Sequence, residues 1–244
     1  MKKYISIFVV AASLLIITGC VSTDRRLIFS QSPVAIVSVV ANNDINWMGE
    51  EPLTVSSILS FNRTLRRSME EDPDFVITTS SSLIIDEIEE FIRFMFASSP
   101  FVTLAPKETV LNSRSYNEAR IHGVQEMQEM AKPAGFRYVF HRDNNFYPAF
   151  AQETGIERTL FITLNITKMM ASGFGKSGNL RAHVSMNVLL KDSRGRNVFN
   201  KTYEAGSRGQ LSVSSGAYSQ SGLLALVKSA LSDVCDDFLD DLAY

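Results

Sequence analysis

The chain holds only two cysteines, Cys20 and Cys235, in 244 residues. It has no surplus of basic residues either: 24 lysines and arginines stand against 26 aspartates and glutamates, for a net charge of −2. A nucleic-acid partner would favour a concentrated basic face, and none is expected here. No apolar run is long enough for a membrane-spanning helix, which needs about 20 such residues. Hydrolase chemistry of the Gly-x-Ser-x-Gly kind is absent, since the nearest stretch, Ser214-Ser215-Gly216, lacks the bracketing glycine. The glycine-rich Gly173-Phe174-Gly175-Lys176-Ser177-Gly178 fails as a phosphate loop because Met170 stands where its first glycine belongs; a hairpin tip is the reading that fits its flanks. The three histidines, His122, His141 and His183, are too widely spaced for a local metal motif. A site assembled in space stays open, beside a plain placement of each: a helix surface, a strand end and a solvent face. The expectation is no catalytic residue, no metal and no cofactor.

What is present begins at the amino terminus. Lys2 and Lys3 precede a mostly apolar stretch from Ile5 to Ile17, followed by Ile17-Thr18-Gly19-Cys20 and then the polar Ser22 to Arg26. Charge, apolar core and small residues in that order read as an export signal. The four residues Ile17, Thr18, Gly19 and Cys20 resemble the bacterial lipobox. That resemblance implies recognition of Ile17 to Gly19 by a lipoprotein signal peptidase, and a diacylglyceryl group on the Cys20 thiol. Each buried CH₂ contributes about 0.8 kcal/mol, so two or three acyl chains hold a protein on a bilayer. Val21 is not acidic, which in lipoproteins implies the outer membrane, facing the periplasm. With Cys20 committed to lipid, Cys235 has no disulfide partner within the chain; it is either a reactive thiol or a small residue packed beside a helix seam.

Residues 1–19 are thus expected to be a signal peptide and residues 20–32 a lipidated tether, with residues 33–244 as one periplasmic α/β domain. Val34 to Val40 is a β-branched run that ends at Asn42-Asn43-Asp44, and predicts a buried strand. Ser56 to Glu71 repeats apolar residues at helical spacing until Asp72-Pro73-Asp74, and Phe75 to Thr78 resumes strand chemistry. Asp86 to Ala97 predicts a second helix. Phe91 and Met95 lie on its apolar face, and Phe94 and Phe96 widen it. This is either a partner-binding surface or a helix buried on two sides. Phe101 to Leu104 reads as extended. Ile121, Val124, Met127 and Met130 predict a helix from Asn117 to Ala131, and Phe136 to Phe140 a strand. Leu160 to Ile166 and Arg181 to Lys191 alternate with period two, which predicts half-buried antiparallel strands. Asp192-Ser193-Arg194-Gly195 is a turn leading to a strand from Asn197 to Tyr203. Gly206 to Gly222 reads as a loop, and Leu223 to Leu242 as a long closing helix. Its acidic residues Asp233, Asp236, Asp237, Asp240 and Asp241 suggest either a basic partner, a divalent cation or a solvated face.

The fold class expected is α/β (α+β), with a mixed, largely antiparallel sheet, helices against it and a long C-terminal helix. Val34-Ala35-Ile36-Val37, Ala134-Gly135-Phe136-Arg137-Tyr138-Val139 and Asp192-Ser193-Arg194-Gly195 together resemble the periplasmic domain shared by the curli secretion-channel lipoprotein, the Tol translocation protein's N-terminal domain and the lipoprotein activator of penicillin-binding proteins. The chain departs from that pattern at Arg137, where an acidic residue is usual, and across Asp86 to Pro106, which is longer and more aromatic. The resemblance implies a non-catalytic adaptor that binds other envelope proteins, with a possible homo-oligomer. Two alternatives stand beside it: a curli-type channel subunit, and a ligand-binding or hydrolytic domain. A channel would need two amphipathic hairpins, and the sequence offers one region, Phe146 to Met170.

Overall fold

A computed structural model describes residues 32–48, 67, 69–174 and 176–243. Cys20, Ile17, Thr18, Gly19, the signal peptide, nearly all of the tether and most of the Ser56 to Glu71 helix lie outside these residues. The main sheet follows the order β4 (Met130–Ala131), β1 (Val34–Asn42), β5 (Arg158–Phe174), β6 (Ser177–Asp192) and β7 (Asn197–Gly206). The short β2 (Asn46–Trp47) continues the β1 side of β5, and β8 (Leu211–Val213) continues the β7 side of β6. A separate small ladder joins β3 (Phe75–Val76) to β9 (Tyr218–Ser219). The α-helices whose two ends both lie among the described residues are α1 (Ile85–Ala97), α2 (Lys107–Leu111), α3 (Arg114–Glu118), α4 (Val124–Gln128), α5 (Phe146–Thr154) and α6 (Gln220–Ala243).

The β-branched run of β1 is buried from Val34 to Ala41, as befits a strand covered on both faces. It pairs parallel to β5, while β5, β6 and β7 are antiparallel neighbours. One face of the sheet is closed by α1 and α6: Leu160, Ile162, Leu164 and Ile166 of β5 meet Ile88, Ile92, Val227, Val234 and Phe238 there. The other face is covered mainly over β1 and β5, where Val37 and Phe161 pack with Val110, Tyr116, Phe146 and Phe150. Across most of β6 and β7 the corresponding face is polar and half-exposed or exposed, as period two predicts, with Leu189 packed on the second core and Lys191 buried at its β6 end. The mixed sheet, its helices and the long C-terminal helix are those expected from the sequence.

Two devices fix the ends of these elements. Asp74 takes over the start of α6: its carboxylate accepts hydrogen bonds from the Ser219 hydroxyl, the Ser221 hydroxyl (2.8 Å) and the Ser221 N–H (2.8 Å). These N–H and O–H groups would otherwise be unsatisfied at a helix start. At the far end of the β5–β6 hairpin, Gly173 and Gly178 face each other with φ of +113° and +137°. A Cβ at Gly173 would overlap the Ser177 carbonyl, so only glycine admits this approach of the two strands.

Four expectations are corrected. Asn117 to Ala131 is not one helix, because tertiary hydrogen bonds outcompete the apolar spacing: the Arg120 N–H goes to Asp143 and the His122 N–H to the Tyr138 carbonyl. The chain therefore leaves helical geometry between α3 and α4, and Met130 enters β4. Phe136 to Phe140 forms no strand; Tyr116 Oη captures the Arg137 N–H, and one bridge, Ile121 to Val139, is all that remains. Gly206 to Gly222 contains β8 and β9 within the expected loop. Phe146 to Thr154 is helical, since Phe146, Tyr147 and Phe150 form one buried stripe, so the long hairpin is β5–β6 instead.

Candidate functional site

Of the four aromatic and methionine residues expected to bind a partner, one remains prominent at the surface. Phe94 is 66% exposed, while Phe96 is fully buried with its ring 5.0 Å from that of Phe238. Phe91 and Met95 are half-buried against the main core. The division follows from helix geometry. Ile85, Ile88, Ile92 and Phe96 recur at three- and four-residue spacing on the inner face of α1, and Phe94 falls on the opposite side. Leu83, in the turn that precedes α1, is likewise exposed, at 64%. Glu89 pins α1 from within. It is fully buried and bridges Arg93 and Lys107, whose cations also face the Phe136 ring. Breaking such a pair from one side is costly, because the remaining charge stays buried.

A second feature sits where β2 meets β5. Lys168 is 2% exposed, and its Nζ donates to Tyr218 Oη at 2.8 Å. The ammonium lies 5.3 Å from the Trp47 ring centre and 4.5 Å from that of Tyr218. Tyr218 Oη also shares a 3.1 Å hydrogen bond with Thr79 Oγ1. No carboxylate among the described residues pairs with this amine. Burial, with the Lys176 charge nearby, pushes the Lys168 pKa down to about 8, and burial pushes Tyr218 up to about 12.

The third is a cleft of about 430 Å³ lined by Arg120, His122, Val124, Glu126 and Phe140, among others. The His122 and His141 rings are 6.2 Å apart, and His122 Nδ1 is 2.7 Å from Glu126. His122 lowers the Glu126 pKa. Burial, followed by the charges of Arg142, His122 and Lys191, lowers that of His141. The Arg120 guanidinium stacks 5.2 Å from the Phe140 ring. Two distant histidines thus meet, while His183 lies on the polar face of β6. An imidazole and a carboxylate in contact can exchange a proton. The lining carries no hydroxyl or thiol, and among the described residues no group of three or more His, Cys, Asp or Glu side chains could hold a metal ion.

No protein-family model matches this chain, and no curated protein sequence matches it. Solved structures do. The LpoB C-terminal domain of Salmonella enterica is similar over 72% of this chain and 83% of its own length, at 8% identity and a TM-score of 0.30. The protein CT253 of Chlamydia trachomatis matches over 87% and 93%, at 10% identity and a TM-score of 0.34. The lipoprotein GNA1162 of Neisseria meningitidis matches over 86% and 99%, at 14% identity and a TM-score of 0.32. The structures that this chain is similar to thus include a bacterial lipoprotein.

The buried amine was legible in principle. Leu160, Ile162, Leu164 and Ile166 occupy one face of β5, and the next position on that face is Lys168; a lysine at an inward position of an alternating strand marks a special environment. The histidine cleft carried no such sign, because the apolar spacing around His122 and before His141 points to a helix and a strand, and long-range hydrogen bonds to Asp143 and Tyr138 override it.

Proposed function

We propose that this chain is a lipoprotein of the bacterial cell envelope, held to the outer membrane by acyl chains on Cys20. Residues 33–244 act in the periplasm as one non-catalytic adaptor domain that binds other envelope proteins. The observation that carries this reading is Ile17-Thr18-Gly19-Cys20 behind a basic start and an apolar core. No described helix is long and apolar enough to cross a membrane, so acyl chains on Cys20 would supply attachment that those helices do not. The apolar Leu83, in the turn before α1, and Phe94, on the outer side of α1, are exposed and offer a docking surface. The histidine cleft, with no hydroxyl or thiol in its lining, favours recognition over acyl transfer.

A photo-crosslinking residue at Glu90, between Leu83 and Phe94, tests the adaptor role in native envelopes. The expected result is a covalent adduct with a discrete envelope protein that disappears in Phe94→Ser. No adduct at Glu90, together with a small molecule that co-purifies with the protein, would replace the adaptor with a ligand-binding domain.

A further inference from the structure

The two edges of the main sheet are finished differently. On the β1 side, Val34 exchanges hydrogen bonds with Thr103 and Ala105, and Asn43 donates to Glu129, so backbone groups there are taken up by neighbouring chain. On the other side β7 runs from Asn197 to Gly206 as the last strand. Its register with β6 and the Ser207 N–H to Ala182 carbonyl bond (2.8 Å) fix which groups point inward. In an antiparallel ladder bonding residues alternate, so Phe199, Lys201, Tyr203 and Ala205 bond to β6. Asn200, Thr202 and Glu204 turn their N–H and C=O groups to the open edge. Their side chains are exposed, and no partner for these outward backbone groups occurs among the described residues.

Such a row of unmatched donors and acceptors is a template for another strand. β7 carries no proline, and its lysine does not guard the edge: Lys201 folds onto α6, 3.0 Å from Asp241. The surroundings specify the charge of an incoming strand. Asp233, Asp237 and Asp241 share one flank of α6 at four-residue spacing. Arg208 holds Asp233, and Lys201 and Tyr203 hold Asp241. Asp237 between them is exposed and has no partner among the described residues. Glu204 adds a negative charge on the opposite face of the strand. A second copy of the chain paired antiparallel here would set the two α6 flanks side by side, carboxylate against carboxylate.

We infer that β7 accepts an extended segment of a partner polypeptide, paired along Asn200, Thr202 and Glu204 and carrying lysine or arginine at alternate positions. The inference rests on the adaptor reading for its occupant. Capture at Glu90 without strand addition at β7 would leave that reading standing and remove only this edge.

The test uses the mature chain and two synthetic peptides of about ten residues, one alternating lysine with threonine and the other glutamate with threonine. Amide hydrogen exchange is read residue by residue. The lysine peptide should slow exchange at Asn200, Thr202 and Glu204 while Lys201 and Tyr203, already bonded to β6, stay unchanged; the glutamate peptide should slow none of these amides. Thr202→Pro, which removes an outward N–H at an edge position that tolerates proline, should abolish the effect. Should that variant misfold, Asp237→Lys on the exposed flank should weaken it without altering the rest of the exchange pattern. Failure of the lysine peptide to slow these amides, equal protection by both peptides, or protection that rises with protein concentration alone would overturn the inference, the last by making a second copy the occupant.

Discussion

Replacing Lys168 with methionine should stabilise the protein near neutral pH and lose that advantage in alkali. Folding takes the lysine pKa from its ordinary 10.5 to about 8, a difference of about 3 kcal/mol between the charged and neutral forms. A base whose folded pKa is depressed is penalised while it is charged, so the penalty is complete below about pH 8 and fades as the pH rises toward 10.5. Methionine keeps the length of the stem and carries no charge. It gives up the hydrogen bond to Tyr218, worth about 1 kcal/mol, and the ring contacts with Trp47 and Tyr218. Tyr218 keeps Thr79 as a partner. The expected net gain for Lys168→Met is therefore about 1–2 kcal/mol at neutral pH, falling to zero or below near pH 10. Urea unfolding at both pH values measures it, followed by circular dichroism and by the fluorescence of Trp47, the sole tryptophan. Destabilisation at neutral pH, or a difference between the two proteins that does not change with pH, would mean that burial does not penalise the Lys168 charge.

Phe96→Ala should cost about 3–5 kcal/mol in chemical denaturation by opening a cavity against Phe238, while Phe94→Ala should change stability by under about 0.5 kcal/mol. Asp74→Ala should speed hydrogen exchange in the first turn of α6. Because its hydrogen bonds to Ser219 and Ser221 lower the Asp74 pKa, the wild-type protection of that turn should persist above the ordinary carboxylate range and fall away as the pH drops below it. Cys235, whose thiol burial pushes up to about 12, should resist alkylation in the folded protein at mildly alkaline pH and react once it is unfolded.

The elements that could be read in the sequence are those whose pattern is set by the element itself. The β-branched run of β1, the inward residues of β5 and β6 and the seam of α6 are buried as their spacing implies, and Asp192 to Gly195 makes the turn its residues call for. The glycine-rich segment at 173–178 caps a hairpin because alternating strands flank it. Residues 117–140 depart from their sequence pattern because their backbone is satisfied by distant groups, among them Asp143, Tyr116 and Tyr138, that no local window contains. The candidate site divides the same way. Lys168 sat visibly out of pattern on an inward face, whereas the meeting of His122 with His141 and the open backbone of β7 depend on how segments far apart in sequence are laid together. Phe91, Phe94, Met95 and Phe96 formed one apolar surface in the sequence, and the packing of α6 on α1 takes Phe96 out of it.

Placement of the chain in the envelope depends first on the thiol at position 20. Cells fed an alkyne-bearing fatty acid, with the mature protein then isolated for intact mass and N-terminal sequence, test it directly. The expected result is a labelled chain that begins at Cys20 and bears a diacylglyceryl group, with both label and processing lost in Cys20→Ala. An unlabelled mature protein, or one whose first residue is any other, would contradict it.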